Sequence, residues 1–320
     1  MVPWSHGTLG FLTAATIKMI PAKEYVKVEY LPFRNQQDAI ECFERESRKG
    51  TDDDDETCAF GVEALAYSRD HWVVMIANMC DEPKGVERTK INKIGYYFKP
   101  WFYTHVEKYL STGAAEEYIP LRHYYHRHTR SLFWEVSDIV PFGNQAWFRY
   151  LLGYTMPPKP ALLKLSQTEM TRQLYELHHV VQDLLVPVKN LGESIDLFHK
   201  EFEVYPLWLC PMRIKSDGRK EGYHGLIKPL DDGDEMFVDV GAYGNPLSPT
   251  FVAADSCRKC EDFVRQVKGY QMMYADTYMT REEFREMFDH SQYDKLRASL
   301  PNCLDAFPEI YDKVCKKNRI

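Results

Sequence analysis

The chain has 320 residues, 44% hydrophobic and 27% charged, which is typical of a globular protein with one large domain or two ordinary ones. Its net charge of −7 lacks the basic excess that non-specific nucleic-acid binding requires, so nucleic acid is not an expected partner. The eight cysteines are too widely spread for a disulfide framework, and we interpret them as reduced thiols.

The first third of the chain predicts an α+β opening. Residues 8–20 indicate a strand or a strand–turn–strand, and residues 25–33 alternate apolar and polar side chains as a half-buried strand does. An amphipathic helix that ends at Gly50 follows. Residues 61–69 and 71–79 then indicate a hairpin. Strand, helix, strand, strand is the start of an α+β sandwich with an antiparallel sheet.

The second half of the chain repeats this pattern after an irregular middle. Residues 99–110 and 168–187 are predicted to be helical, the latter with leucine and valine at helical spacing. Residues 235–244 indicate a strand, 256–269 a helix and 270–279 a further strand. We expect these late elements to complete the same sheet.

The sequence does not predict a metal site. The acidic loop 51–57 lacks the spacing of a calcium loop, so a solvated turn is expected there. His126 and His128 have no third ligand at a usual zinc spacing. Cys257 and Cys260 have no second pair and fall within the predicted helix, which favours a structural role.

Several motifs, in order along the chain, resemble those of one enzyme family. "PWSHGTLGF" resembles the Gly-Thr-Leu-Gly turn of flavoprotein oxidoreductases of the vanillyl-alcohol-oxidase type, which lies against FAD, and "QDLLVP" resembles an element of their cap domains. "RHYYHRHTRSLFWE", "YPLWLCP", "VDVGAYG" and "YADTYMTREEFREMFD" resemble motifs of the delta-24-sterol reductases, the seladin/diminuto family. This resemblance runs from about residue 3 to the C-terminus.

The resemblance implies a domain organisation. Residues 1–26 would be the C-terminal remnant of a FAD-binding domain, and residues 27–320 a ferredoxin-like cap with an antiparallel sheet and covering helices. Within the cap, residues 270–320 would return towards the flavin domain. On this interpretation the family's membrane anchor and most of its FAD-binding domain lie outside this chain.

The resemblance also implies an activity. It is the reduction of the sterol side-chain double bond, as in the conversion of desmosterol to cholesterol, with FAD as cofactor and NADPH as reductant. The expected location is the cytosolic side of the endoplasmic reticulum membrane. Two alternatives are a catalytically inactive cap that binds sterol or a partner, and a different flavin oxidase of the same superfamily.

Cofactor contacts follow from the same resemblance. The turn residues that it implies as FAD contacts are Ser5, Gly7, Thr8, Leu9 and Gly10. Glycine has no Cβ, so backbone N–H groups can approach a cofactor closely here. The alternative is a plain turn between strands.

Reduction of an isolated alkene needs an acid on one face, a hydride donor on the other, and little water between them. If residues 270–279 form a strand, Tyr274, Asp276 and Tyr278 share one face and could donate the proton. The alternative is that Asp276 caps the next helix and Tyr274 is core.

Residues 122–130 combine arginine, histidine and tyrosine. Arg122, Arg127 or Arg130 is expected to bind a phosphate of FAD or NADPH, with Arg122 and Arg127 as the first candidates, because the guanidinium fork suits phosphate oxygens. His123, His126 and His128 could supply protons. The alternative is a polar flank packed against the flavin domain.

Residues 146–158 are apolar, aromatic and too short to span a bilayer. They could lie in a membrane interface and admit a sterol. The alternative is buried core at the centre of the cap.

Overall fold

The computed structural model describes residues 4–49, 59–156, 179–214, 226–227 and 235–316. The strands are β1 (Tyr25–Phe33), β2 (Gly61–Ala66), β3 (Trp72–Cys80), β4 (Ala115–Pro120), β5 (Val180–Pro187), β6 (Leu207–Ile214), β7 (Glu235–Gly244) and β8 (Tyr270–Gln271). The helices of the first half are α1 (Gln36–Arg48), α2 (Phe102–Glu107), α3 (Tyr109–Thr112), α4 (Leu121–Tyr125), α5 (Val136–Ile139) and α6 (Ala146–Leu151). Those of the second half are α7 (Leu191–Glu201), α8 (Ala253–Gln266), α9 (Arg281–Met287), α10 (Ser291–Ser299), α11 (Cys303–Ala306) and α12 (Ile310–Val314).

Among these residues, eight strands form one antiparallel sheet in the order β4-β1-β3-β2-β6-β7-β5-β8. Each half of the sheet has the same arrangement, because the fourth strand of each half lies beside the first, followed by the third and the second. A helix follows the first strand in both halves. This is the order of a ferredoxin-like β-α-β-β-α-β unit. The halves join where β2 pairs with β6, with Leu65 opposite Trp208.

One face of the sheet is covered by α1, α7 and α8. Asn35 caps α1 by accepting a hydrogen bond from the Asp38 N–H, which satisfies one of the free donors at the helix start. Ala39, Ile40 and Phe43 are buried beneath it, as the helical period predicts. These three helices cover one face of the sheet, and the candidate site lies on the opposite face.

The second face carries two separate apolar clusters. The first lies under α2 and α3 and includes Tyr30, Phe102 and Trp134. The second lies under the helices from α9 to α12 and includes Leu185 and Phe237. Between the two clusters the sheet presents polar side chains.

Several predicted elements are confirmed. The strand over 25–33 and the strand over 235–244 have the predicted bounds. Residues 61–66 and 72–80 form the predicted antiparallel hairpin. The late helix occupies Ala253–Gln266. The α+β class is therefore correct, whereas the acidic loop 51–57 lies outside the described residues.

Three predicted elements are wrong. Residues 8–20 contain no strand, and Phe11, Ile17 and Met19 are exposed, because no described strand pairs with this segment. Residues 180–187 form a strand and not the end of a helix, since an apolar run packed between β7 and β8 satisfies either pattern. Residues 168–178 lie outside the described part. The strand expected over 270–279 ends after Gln271.

No helix among the described residues combines the length and hydropathy needed to cross a bilayer.

Candidate active site

A polar row crosses the second face of the sheet between its two apolar clusters. Asp183 of β5 lies opposite Gly241 of β7, and Asp239 lies two residues from Gly241 on the same face. The neighbours of this row on both strands belong to the apolar clusters: Val181, Leu185 and Phe237. The polar residues thus occupy a gap that apolar packing leaves open.

The centre of the row is a hydrogen bond in which the Tyr243 hydroxyl donates to Asp183 Oδ1. Gly241 makes room for it. A Cβ at this position would lie 2.7 Å from the Tyr243 hydroxyl oxygen and 2.9 Å from Asp183 Oδ1. Any larger residue would therefore displace one of the two partners.

Both carboxyl groups of the row retain protons above their ordinary pH range. Burial raises the pKa of Asp183, although the nearby hydroxyl groups of Tyr243 and Tyr274 oppose this effect. Burial, together with the charge of Asp183, raises the pKa of Asp239. Among described residues, Asp183 Oδ2 and Asp239 Oδ1 are buried without a hydrogen-bond partner. Two such carboxyl groups can act as acids near neutral pH.

Tyr274 is the solvent-exposed residue near this row, with 52% of its surface accessible. Burial of its hydroxyl and the charges of Asp183 and Asp239 raise its pKa, so it remains a proton donor. We name Asp183, Asp239, Tyr243 and Tyr274 the acid cluster. The cluster thus combines two buried carboxyl groups with one exposed phenol.

The predicted catalytic residues share a cavity without sharing a strand. Tyr274, Asp276 and Tyr278 line one cavity of about 160 Å³. Asp276 accepts a hydrogen bond from Lys316 Nζ at 2.8 Å, and the Tyr278 N–H donates to Glu261 Oε1 at 2.7 Å. The alternating burial of a strand persists here although the ladder hydrogen bonds do not.

The two predicted phosphate-binding arginines lie in different surroundings. Arg127 is largely buried and donates to Glu63 Oε1 at 2.8 Å, while Trp208 Nε1 donates to Glu63 Oε2 at 2.9 Å. Burial alone would raise the pKa of Glu63, but the charges of Arg127 and His128 hold it well below its usual range. Arg127 thus has a protein partner, whereas Arg122 is exposed and lines a separate cavity.

The predicted flavin turn packs against the C-terminal helices. The Thr8 hydroxyl donates to Ser5 O at 2.6 Å and lies 2.6 Å from the Tyr293 hydroxyl, while Arg297 donates to Thr8 O at 2.8 Å. Leu9 packs against the second apolar cluster. Ser5, Thr8 and Leu9 therefore face the protein.

The two glycines of this turn have positive φ angles, 71° at Gly7 and 144° at Gly10. This is the backbone region that favours glycine. A Cβ at Gly10 would meet no described atom within 4 Å. Gly10 is accordingly the open side of the turn, where another molecule or chain segment could approach the backbone.

The cysteine pair behaves as a structural element. Cys257 and Cys260 lie on α8 and are buried against the sheet. Burial raises the pKa of the Cys257 thiol to about 12, so the reactive thiolate is scarce. The described ranges contain no group of histidine, cysteine and carboxylate side chains that could hold a metal ion.

Residues 146–156 form α6 and a turn, and their aromatic side chains are mostly exposed. Tyr150 and Tyr154 are each 66% exposed and Trp147 is 51% exposed, whereas Phe148 is buried. Residues 157 and 158 lie outside the described part. The described segment is thus an exposed aromatic surface anchored by one core residue.

Sequence reasoning missed three members of the acid cluster. Asp183 fell inside the predicted helix, so no face of a sheet was expected for it. Asp239 and Tyr243 fell inside a correctly predicted strand. Their spacing of four with Gly241 between them places all three on one face, which is the signal that could have found them.

Comparison with known proteins gives relatives that match almost the whole chain. Over 319 residues, it is 53% identical to the delta(24)-sterol reductase of Mus musculus and 52% identical to that of Homo sapiens. Over 330 residues, it is 37% identical to the delta(24)-sterol reductase of Arabidopsis thaliana. Each match includes 99% of this chain and 58% of the relative. No protein-family model matches the chain.

Proposed function

The chain belongs to the delta(24)-sterol reductase family, and we propose that it carries the acid side of a flavin-dependent reduction of the sterol side-chain double bond. NADPH is the reductant in this proposal. The observation that carries it is the acid cluster, which lies on the sheet face that the three long helices leave free.

The reaction sets two requirements for the protein. A trisubstituted alkene has no carbonyl group to polarise, so a proton must reach its less substituted carbon while positive charge develops on the other. Water must be kept away from that charge. A proton donor supplied from a buried carboxyl group meets the first requirement, and the apolar clusters on either side of the row contribute to the second.

The residues of the acid cluster fit separate roles. Tyr274 is the exposed donor that would contact the alkene. Asp183, whose raised pKa reflects burial, would pass its proton to the Tyr274 phenolate after each turnover and then take up a proton from solvent. Tyr243 holds the Asp183 carboxyl in place by its hydrogen bond. Asp239, whose pKa is also raised, would remain protonated beside Asp183.

Flavin, when bound and reduced, supplies the hydride for this reaction. The residues proposed to hold it are those of the 5–10 turn, with the open backbone at Gly10 as the point of closest approach. The unpartnered oxygens of Asp183 and Asp239 are compatible with a polar group near the acid cluster. We propose residues 1–26 as part of the flavin-binding domain and residues 27–320 as the cap.

The C-terminal helices contact the proposed flavin-binding part, as expected if residues 270–320 return towards it. The α10 residue Arg297 binds the backbone of Thr8, and Lys313 Nζ donates to His6 O at 2.9 Å. A parallel bridge joins Thr277 to Cys315, directly after the Tyr274–Asp276 segment. The proposed flavin turn and the loop of the acid cluster are thus attached to the same helices.

The sterol is proposed to enter from a membrane. The exposed aromatic surface of α6 would lie in the interface on the cytosolic side of the endoplasmic reticulum, since aromatic rings partition into that region. A sterol could then move to the cap without crossing bulk water.

Two measurements test the proposed function. The first is the visible spectrum of residues 1–320 purified with added FAD, in which flavin absorbance reports cofactor binding by this chain. The second exchanges the matched region of the Mus musculus reductase for this chain and measures the NADPH-dependent conversion of desmosterol. Conversion by the chimera supports the proposal. A folded chimera that binds flavin and desmosterol without converting it would favour an inactive sterol-binding cap.

A further inference from the structure

A second cavity lies away from the acid cluster, between the loop at Gly95 and the turn after α4. Its volume is about 480 Å³. Four basic side chains line it: Arg122, His123, His126 and Arg130. No carboxylate of the described residues lines it. This chain has a net charge of −7, so a cavity with four basic side chains and no carboxylate among its described lining residues is a local exception.

One glycine peptide orients two of these side chains. The Gly95 N–H donates to His123 Nδ1 at 3.1 Å, and Arg130 Nε donates to Gly95 O at 2.9 Å. A Cβ at Gly95 would lie 2.7 Å from His123 Nδ1, so the close approach depends on glycine. Because His123 Nδ1 accepts a hydrogen bond, the neutral ring carries its proton on Nε2 as a donor.

The arginines keep donors available for a ligand. Arg130 uses only Nε for Gly95, which leaves both terminal nitrogens of its fork without a described partner. The Arg122 backbone oxygen accepts a hydrogen bond from the His126 N–H, but its guanidinium has no hydrogen-bond or ion-pair partner among the described residues. Burial lowers the pKa of Arg130, and no carboxylate offsets that effect. A half-buried guanidinium without a counter-ion is stabilised when an anion binds.

We propose that this arginine cavity is a binding site for a phosphate monoester. Arg122 and Arg130 offer forked donors that match phosphate oxygens, and His123 and His126 offer further N–H groups at the rim. The ring of Tyr96, with its centroid 5.0 Å from that of His123, forms a flat wall beside the site. The site does not depend on the acid cluster, and it can be tested without turnover.

The experiment measures binding to residues 1–320 by calorimetry. The soluble probes are inorganic phosphate and the 2′-phosphate of adenosine, and adenosine is the control without phosphate. The lipid probe is a phosphatidylcholine vesicle with phosphatidic acid, compared with phosphatidylcholine alone. Binding of either phosphate source supports the site and identifies whether a soluble ester or a lipid headgroup is preferred.

Variants then locate the binding. Arg122→Ala and Arg130→Gln should each weaken binding about tenfold, the usual effect of losing one charge-assisted contact. Lys295→Ala removes an exposed positive charge from α10 and should leave affinity unchanged. Arg122 is exposed, so its variant should fold even if Arg130→Gln does not. Absence of phosphate-dependent binding, or equal affinity in Arg122→Ala and wild type, overturns the proposal.

Discussion

The hydroxyl of Tyr243 donates a hydrogen bond to the carboxyl of Asp183 across the pairing of β7 with β5. The contact lies between the two apolar clusters of this sheet face, and Gly241 leaves space for it. A buried carboxyl in such a place tends to hold its proton. The site therefore combines a buried carboxyl group that holds its proton with a phenol that fixes its position.

Replacing Gly241 by alanine should lower the reductase activity while the protein still folds. The added methyl would enter the space between Tyr243 and Asp183, so sterol reduction by the chimera should fall about tenfold or more. Both displaced groups are side-chain ends, so the fold should survive. Gly192→Ala is the control, since its methyl meets Ile40 at an ordinary 3.5 Å. Equal activity of the two variants would contradict the role of Gly241.

The raised pKa of Asp239 predicts a pH dependence of stability. The folded state holds this proton where the unfolded carboxyl has already lost it, so the unfolded state binds fewer protons and stability falls as pH rises above about 4. Asp239→Asn cannot ionise. Its free energy of unfolding should therefore gain at least about 1 kcal/mol over wild type between pH 5 and pH 8.

Urea unfolding at several pH values measures this effect. Asp305→Asn, which changes an exposed carboxyl of α11, should run parallel to wild type. A parallel course for Asp239→Asn as well would show that Asp239 ionises normally in the folded protein.

The buried pair of Arg127 and Glu63 predicts a large loss of stability. Arg127→Met would leave the Glu63 carboxylate buried without its main counter-charge, which costs on the order of 3 kcal/mol. Chemical denaturation measures this change in the free energy of unfolding. The exposed Arg122→Met should stay within about 0.5 kcal/mol of wild type. A similarly small effect for Arg127→Met would mean that this pair contributes little to the fold.

Glu261 is expected to anchor the loop that carries Tyr274. Its Oε1 accepts hydrogen bonds from Thr277 Oγ1 at 2.9 Å and from the Tyr278 N–H at 2.7 Å. Glu261→Ala should lower stability by about 1–3 kcal/mol and speed hydrogen exchange at Tyr278. Glu261→Gln keeps an acceptor oxygen and should be much milder. Equal exchange rates in the two variants would show that the loop is held by other contacts.

The sequence identified most regular elements because their periodicity was clear. The alternation of residues 25–33 and the helical period after Asn35 each allowed one interpretation. β5 was misread because all but one of its residues are buried, and a fully buried strand shows no alternation. The twofold ferredoxin-like strand order depends on long-range pairing, which no local pattern records.

The candidate site was predicted only in part, for the same reason. Tyr274 was found from its own motif, whereas Asp183 and Tyr243 lie far from it along the chain. Residues 8–20 show the reverse error, since their apolar run suggested a strand although no described partner strand lies beside them. Both errors arise because strand pairing depends on residues far apart in the sequence, so a local sequence pattern does not determine it.

The most direct test of the acid cluster measures the two half-reactions of the chimera separately by stopped-flow absorbance. In Tyr274→Phe and Asp183→Asn, flavin reduction by NADPH should proceed at the wild-type rate. Flavin reoxidation by desmosterol should slow by about 10²–10⁴, the usual contribution of a positioned acid. Wild-type reoxidation rates in both variants would contradict the account and require another proton donor.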